Sequence, residues 1–230
     1  MIFWELLQRR IRQDGAQPLL TCYNADGART ELSAITYGNW VAKAANFIAD
    51  QVGAGAGDRI ALEVAARRPG HWMSLVWVGG CWAAGVEVVL DPDADAVAVV
   101  SGPELEFGST TGERYACSLH PLALGFGDGL PDGVVDWADE VRSEPDALLV
   151  TPPMADDPAW EGMSYAEVAA IDGQSERVVL DCREAPDDVL GLVREALVAP
   201  LLGGGSSVTV HGGDPAQIAD RERGHLRPLT

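Results

Sequence analysis

The sequence predicts an α/β fold with a mostly parallel sheet flanked by helices, and three stretches predict it. Residues 60–64 form a short apolar run, a helical pattern follows, and residues 86–90 form a second apolar run. That order is a βαβ unit, whose crossover passes right-handed over a parallel sheet. Ile2, Phe3, Leu6, Leu7 and Ile11 recur at helical spacing, as do Trp40, Val41, Ala44, Phe47, Ile48 and Val52. Farther on, apolar runs at 178–182 and 207–211 flank a helical pattern over 186–202, which Gly203, Gly204 and Gly205 stop.

Each element follows from its local pattern. The first helix ends near Asp14 and Gly15. Residues 18–23 and 28–32 read as a hairpin closed by the turn 24–27. Thr36 is placed as the N-cap of the second helix, which stops at Gly53 before the small-residue turn 54–57. Pro69 starts the crossover helix, which runs through Trp72, Leu75, Val76, Trp77, Cys81 and Trp82 to Gly85. Its face must cover the sheet, which makes those tryptophans core residues. Beyond Asp91 the pattern loosens: 96–100 reads as a strand and 102–133 as short strands and loops. A brief helix over 137–142, a buried strand over 147–151 and a helix over 163–171 introduced by Ser164 come next, and the polar tail from Asp214 carries a short helix. One α/β domain over 1–230 is expected, with the glycine-rich 102–133 as its candidate seam.

Composition bounds the function before any motif does. Hydrophobic residues at 47% and charged residues at 22% describe a chain that folds. Lys and Arg number 16 against 35 Asp and Glu, a formal net charge of -19 that repels nucleic-acid phosphates and anionic lipid headgroups. Cys22, Cys81, Cys117 and Cys182 have no paired spacing and read as reduced, buried thiols. The most apolar stretch, 72–89, contains Glu87 and three glycines, so no membrane span is read. Glu5, Arg9, Arg10 and Arg12 interrupt the N-terminal apolar residues, unlike a signal peptide, and a cytoplasmic protein is expected.

Tyr37 leads an amphipathic helix, Gly57-Asp58-Arg59 precedes an apolar strand, and Ala83-Ala84-Gly85 closes a helix before the next strand. In this order the features resemble the opening of the adenylate-forming (AMP-binding) enzymes, acyl-CoA synthetases among them. The run 147–150 with the helix start Ser164-Tyr165, and the helix, triple glycine and strand over 195–210, extend the resemblance. The chain looks like a shortened N-terminal domain of that type, and is most similar to a small actinobacterial family distantly related to those enzymes. The resemblance implies that ATP would be held by a loop rich in Ser, Thr and Gly, closed by a Lys and delivered by the strand that 147–150 matches. Here that loop reads Thr151-Pro152-Pro153-Met154-Ala155-Asp156-Asp157. The prolines remove N–H donors and the aspartates repel phosphate. The family's ribose-binding Asp and its C-terminal lid with a catalytic Lys belong to later parts of the family's chain, and the length here is less than half of what would hold them.

The remaining motifs are weaker. Gly108-Ser109-Thr110-Thr111-Gly112 has the composition of a phosphate loop, but Glu113-Arg114 follows it, and it reads as a surface turn. There is no Gly-x-Ser-x-Gly elbow, and His71, His120, His211 and His225 are not at metal-ligand spacing. His211 stands at a strand end beside Gly212-Gly213, where α/β ligand sites occur, and reads as a structural residue. Asp156-Asp157 and Asp91-Pro92-Asp93 read as solvated turn formers. No catalytic, cofactor-binding or metal-ligating residue is assigned, and no cofactor. The leading expectation is a non-enzymatic scaffold or protein-interaction module, working through a protein partner or as a homodimer. The alternatives are a protein that binds an acyl or nucleotide ligand without catalysis, with 125–133 and 203–205 as rims of its crevice, a divergent acyl-adenylating enzyme, and an unrelated enzyme using His211 or an aspartate.

Overall fold

Helix α1 (Phe3–Asp14) turns Phe3, Leu6 and Leu7 inward and leads to the expected antiparallel hairpin of β1 (Pro18–Tyr23) and β2 (Arg29–Ser33). The computed structural model describes residues 2–127 and 129–228, so Met1, Leu229, Thr230 and, within the expected rim 125–133, Asp128 lie outside the described residues. Helix α2 (Ala34–Asp50) is capped by Ser33 rather than Thr36. Ser33 Oγ accepts from the Thr36 amide at 3.1 Å, which puts Thr36 inside the first turn. Strand β3 (Arg59–Leu62) runs directly into the short helix α3 (Glu63–Arg67). The crossover helix α4 (Trp72–Ala84) starts after His71 rather than at Pro69, because His71 Nδ1 accepts from the Met73 amide at 3.2 Å. Gly85, at φ 78, ends it.

Strands β4 (Glu87–Val89), β5 (Ala98–Ser101), β6 (Glu113–Ala116) and β7 (Val134–Asp136) follow, then helix α5 (Trp137–Glu140). The expected buried strand at 147–151 does not form, and Leu149 is 68% exposed. Asn46 of α2 takes up this backbone instead of a sheet. Its Nδ2 donates to the carbonyls of Pro145 (3.2 Å) and Ala147 (2.9 Å), and its Oδ1 accepts from the Leu149 amide (2.9 Å). A hairpin of β8 (Pro158–Trp160) and β9 (Met163–Ser164) comes next, and Ser164 then caps helix α6 (Tyr165–Val168). This helix is shorter than 163–171. The Arg194 guanidinium closes its end by donating to the carbonyls of Glu167 and Val168.

Strand β10 (Arg177–Asp181) leads to helix α7 (Val189–Val193), a π-helical turn at Arg194–Val198 and helix α8 (Ala199–Gly203). Pro200 has no N–H to give the Ala196 carbonyl, which accepts from Ser207 Oγ at 2.7 Å. Strand β11 (Ser206–Val210), helix α9 (Pro215–Glu222) and strand β12 (His225–Arg227) complete the described chain.

These strands form two sheets. The first has the order β12-β10-β11-β1-β2 and is parallel except for β2. The second has the order β7-β6-β5-β3-β4-β8-β9 and is parallel except for β9. Helix α4 touches β1 on one side and β3 and β4 on the other, with α2 packed along it. One apolar cluster therefore runs through both sheets, joining Leu20 and Cys22 to Trp72, Trp77 and Trp82 of α4 and to Ile60, Val88 and Val100. Outside the first sheet Ile218 of α9 covers Val179 and Val208, and outside the second Phe107 covers Ala61 and Val99. All four cysteines are free and buried, and burial pushes the Cys22 thiol up to about 11 and Cys117 up to about 12. Among the described residues no helix is long and apolar enough to cross a membrane.

Helices α2 and α4 approach each other closely in the core. A Cβ on Gly80 would sit 2.6 Å from Ala44 Cβ, so Gly80→Val is expected to destabilise the protein by about 1–3 kcal/mol, read as a lower urea midpoint. At the edge, Glu222 accepts from Arg29 Nε (2.8 Å), Tyr23 OH (2.5 Å) and Arg177 Nη2 (2.7 Å), joining α9 to β1, β2 and β10. These bonds, Arg29 first, hold its carboxyl at about 2 against an ordinary value of 4.5. A carboxyl lowered in the folded state stabilises above its unfolded pKa, and that stability is lost as pH falls from about 4.5 towards about 2. Acid titration of the unfolding free energy should show this limb. Glu222→Gln should flatten it and, because the cluster is partly solvated, remove about 1 kcal/mol at neutral pH.

Candidate functional site

Parallel strands present their carboxyl ends to one side of each sheet, and here the two sheets do so around a shared crevice. In the second sheet the chain leaves β3 for β4 on one side and returns to β5 on the other, so the switch point lies between β3 and β5. Arg68 and His71 follow β3 and α3, Pro103 follows β5, and Leu119 and Pro121 follow β6. Across the gap the first sheet supplies Asn24 after β1 and His211 after β11. Together they line a crevice of about 270 Å³. This is where α/β folds hold ligands.

Two histidines remote in sequence meet here, their ring centroids 5.9 Å apart. Gly70 permits the approach: a Cβ there would lie 2.6 Å from Cys182 Sγ and 3.3 Å from Thr209 Cβ, so any larger residue would push the 68–71 turn off the first sheet. His71 is 4% exposed. Burial holds its imidazole down to about 3, with the neighbouring His211 and Arg68 adding to the effect and the Leu119 carbonyl opposing it. Burial likewise lowers His211, with Arg68 contributing and the carbonyls of Gly70 and Cys182 opposing. Both rings are therefore neutral near pH 7. Because His71 Nδ1 accepts the Met73 amide, its proton sits on Nε2. Both Nε2 atoms are buried and make no hydrogen bond of good geometry, but the Leu119 carbonyl lies near the His71 ring and the Gly70 and Cys182 carbonyls near the His211 ring. Arg68 is committed to Glu104 at 2.6 Å.

The other candidates fall elsewhere. His120 turns Nδ1 to the Leu122 amide (3.1 Å), and His225 is exposed. The 108–112 turn precedes β6, at the amino end of the strand, and the Ser109 amide and hydroxyl both donate to Asp93 Oδ1 at 2.7 Å. Asp93 amide in turn donates to Asp91 Oδ1 (2.9 Å). Residues 203–205 lead into the amino end of β11, opposite His211, and neither they nor the described residues of 125–133 line the crevice. In 151–157 the Met154 amide donates to Asp157 Oδ2 (2.7 Å) and the Ala166 and Tyr165 amides bond back to the carbonyls of Ala155 and Asp157. Among the described residues no group of three His, Cys, Asp or Glu could hold a metal ion.

A TIGR03089 family protein of Mycobacterium tuberculosis (strain H37Rv) is 31% identical to the chain over 234 aligned positions, 94% of this chain and 92% of its own. The chain belongs to the TIGR03089 family. No protein-family model matches it. Among solved structures it is similar to a Brucella canis acyl-CoA synthetase, at a TM-score of 0.74 and 19% identity, over 99% of this chain and 47% of that one. The acetoacetyl-CoA synthetase from Streptomyces lividans superposes at a TM-score of 0.72 and 16% identity, over 97% of this chain and 41% of that one. A Mycobacterium tuberculosis fatty acyl CoA synthetase gives 0.69 and 12%, over 97% and 48%. The fold is that of the N-terminal domain of acyl-CoA synthetases, and the chain spans about half the length of these synthetases.

Sequence reading of this TIGR03089 protein singled out His211 at its strand end but not its pairing with His71, nor Asn24, Arg68 and Leu119. The available signal was Pro69-Gly70-His71 ahead of an apolar helix, a histidine in N-cap position. His71→Ala is expected to lose about 1 kcal/mol of stability, and His71→Asn, which can still accept the Met73 amide, to lose less, both read from denaturant unfolding.

Proposed function

We propose that this TIGR03089 family protein is a non-enzymatic relative of the adenylate-forming enzymes that acts through protein contact as an interaction module in the cytoplasm of an actinobacterium. The segment that stands in place of the phosphate loop carries the reading. Pro152 and Pro153 offer no N–H, the Met154 amide is spent on Asp157, and Leu149 (68% exposed) and Met154 (72% exposed) turn apolar side chains to solvent in the same stretch. A triphosphate needs free amides and a cation; this stretch offers carboxylates and bare apolar groups, the chemistry of a contact surface. A second copy or another protein would cover it.

With millimolar ATP and magnesium the unfolding midpoint is expected to stay unchanged, and no pyrophosphate should be released with fatty or aromatic acids. A ligand at a hundred times its dissociation constant would raise the midpoint by about 5 °C or more. Such a shift, or pyrophosphate release abolished by a substitution in this chain, would overturn the non-enzymatic reading. Leu149→Asp with Met154→Asp should leave stability within about 0.5 kcal/mol and abolish assembly seen by sedimentation; assembly that survives both changes removes this surface from the reading.

A further inference from the structure

The apolar side chains exposed at Leu149 and Met154 are framed by one sign of charge. From Ser143 to Glu176 the chain has eight acidic residues and no Lys or Arg. Other elements add to the same side. Asn46 of α2, whose side chain holds the backbone at 145–149, has Asp50 one turn farther along the helix. Burial, followed by that Asp50 carboxylate, raises the Glu144 carboxyl, with Lys43 opposing. At the end of α4 a Cβ on Gly85 would be 3.5 Å from Pro153 Cβ and 3.8 Å from Ala56 Cβ. The 151–157 loop therefore rests where the 54–57 turn and the start of β4 meet, and these contribute Asp58 and Glu87. Lys43 and Arg59, the cations that α2 and β3 bring here, are already paired, with Asp146 at 3.1 Å and with Asp95 at 3.0 Å, and Arg142 donates to the Ala123 carbonyl.

Apolar groups set among carboxylates select what covers them. A second copy would bring the same carboxylates to a two-fold contact and set Asp against Asp, between chains that each carry -19. Nucleic acid and anionic lipid are repelled as well. A segment with Lys or Arg interleaved among apolar residues meets both needs. Its cations answer the exposed Asp50 and Asp156, and its apolar side chains take Leu149 and Met154 out of water.

Resting on the contact reading above, we infer that Leu149 and Met154 dock a Lys- or Arg-rich segment of a different protein, held by apolar contact at those two residues and by charge at Asp50 and Asp156.

The test titrates the full chain into a fluorescently labelled peptide that alternates lysine with leucine, following anisotropy. Two controls of equal length alternate lysine with serine and glutamate with leucine. The expected result is saturable binding of the lysine-leucine peptide, binding of the lysine-serine peptide roughly tenfold weaker, and no binding of the glutamate-leucine peptide. Leu149→Ser with Met154→Ser should weaken the lysine-leucine peptide by roughly tenfold, and Asp50→Lys with Asp156→Lys by at least as much. Glu184→Lys with Asp187→Lys, on the loop after β10, should change it by less than about twofold, because those charges lie off the surface. All six positions are exposed, and an unchanged unfolding midpoint checks each double variant. Binding that is absent, that survives both surface variants, or that falls equally in the Glu184 and Asp187 variant would overturn the basic partner. So would self-association of the full chain that Leu149→Ser with Met154→Ser abolishes, an outcome that keeps the contact surface and gives it to a second copy.

Discussion

The close contact between α2 and α4 is the constraint on which the rest of the structure depends. Gly79 and Gly80 strip side chains from the middle of α4, so α2 approaches until Tyr37 OH and Ala44 Cβ occupy the places two Cβ atoms would need. Tyr37 uses that proximity to donate to the Leu75 carbonyl at 2.7 Å. Rings then fill the flanks: Trp77 meets Trp137 at 5.4 Å, Phe3 meets Trp82 at 5.2 Å, and Trp82 Nε1 reaches the Ala159 carbonyl at 3.1 Å. Aromatic pairs of this kind add about 0.5–1.5 kcal/mol each beyond their burial. Glycine in a helix is locally unfavourable, and here the loss is offset by contact between two elements that both sheets share.

Because α4 lies between the sheets, its first turn sits where the carboxyl ends of both sets of strands converge. His71 therefore has two tasks set by one position. Its Nδ1 satisfies an orphan amide at the helix start, and that bond fixes the proton on a buried Nε2, with the ring packed 5.9 Å from that of His211.

The likeness to acyl-CoA synthetases is one of fold, and function belongs to sites. In the stretch 147–157 Asn46 substitutes its own amide for the sheet pairing that the apolar run would otherwise make. With the strand dissolved into a side-chain clasp, Leu149 is left facing solvent. The core is not disturbed by this, because the clasp is local and the hairpin of β8 and β9 resumes the second sheet beyond it.

The βαβ unit, the amphipathic helices at 3–14 and 34–50, the strands at 178–182 and 207–211 and the burial of Trp72, Trp77 and Trp82 were legible because periodicity records which side of an element faces apolar surroundings. Local chemistry also revealed the Ser164 cap and the four buried thiols. The strand expected at 147–151 misled for the same reason: an apolar run states a preference for burial, and only tertiary competition from Asn46 decided against a ladder. The meeting of His71 with His211, 140 positions apart in the chain by their numbers, could not be read from spacing at all. By itself the sequence determined the class of fold, since that rests on patterns a few residues long; the crevice and the exposed loop were decided by tertiary structure, because both arise from packing between segments that periodicity does not connect.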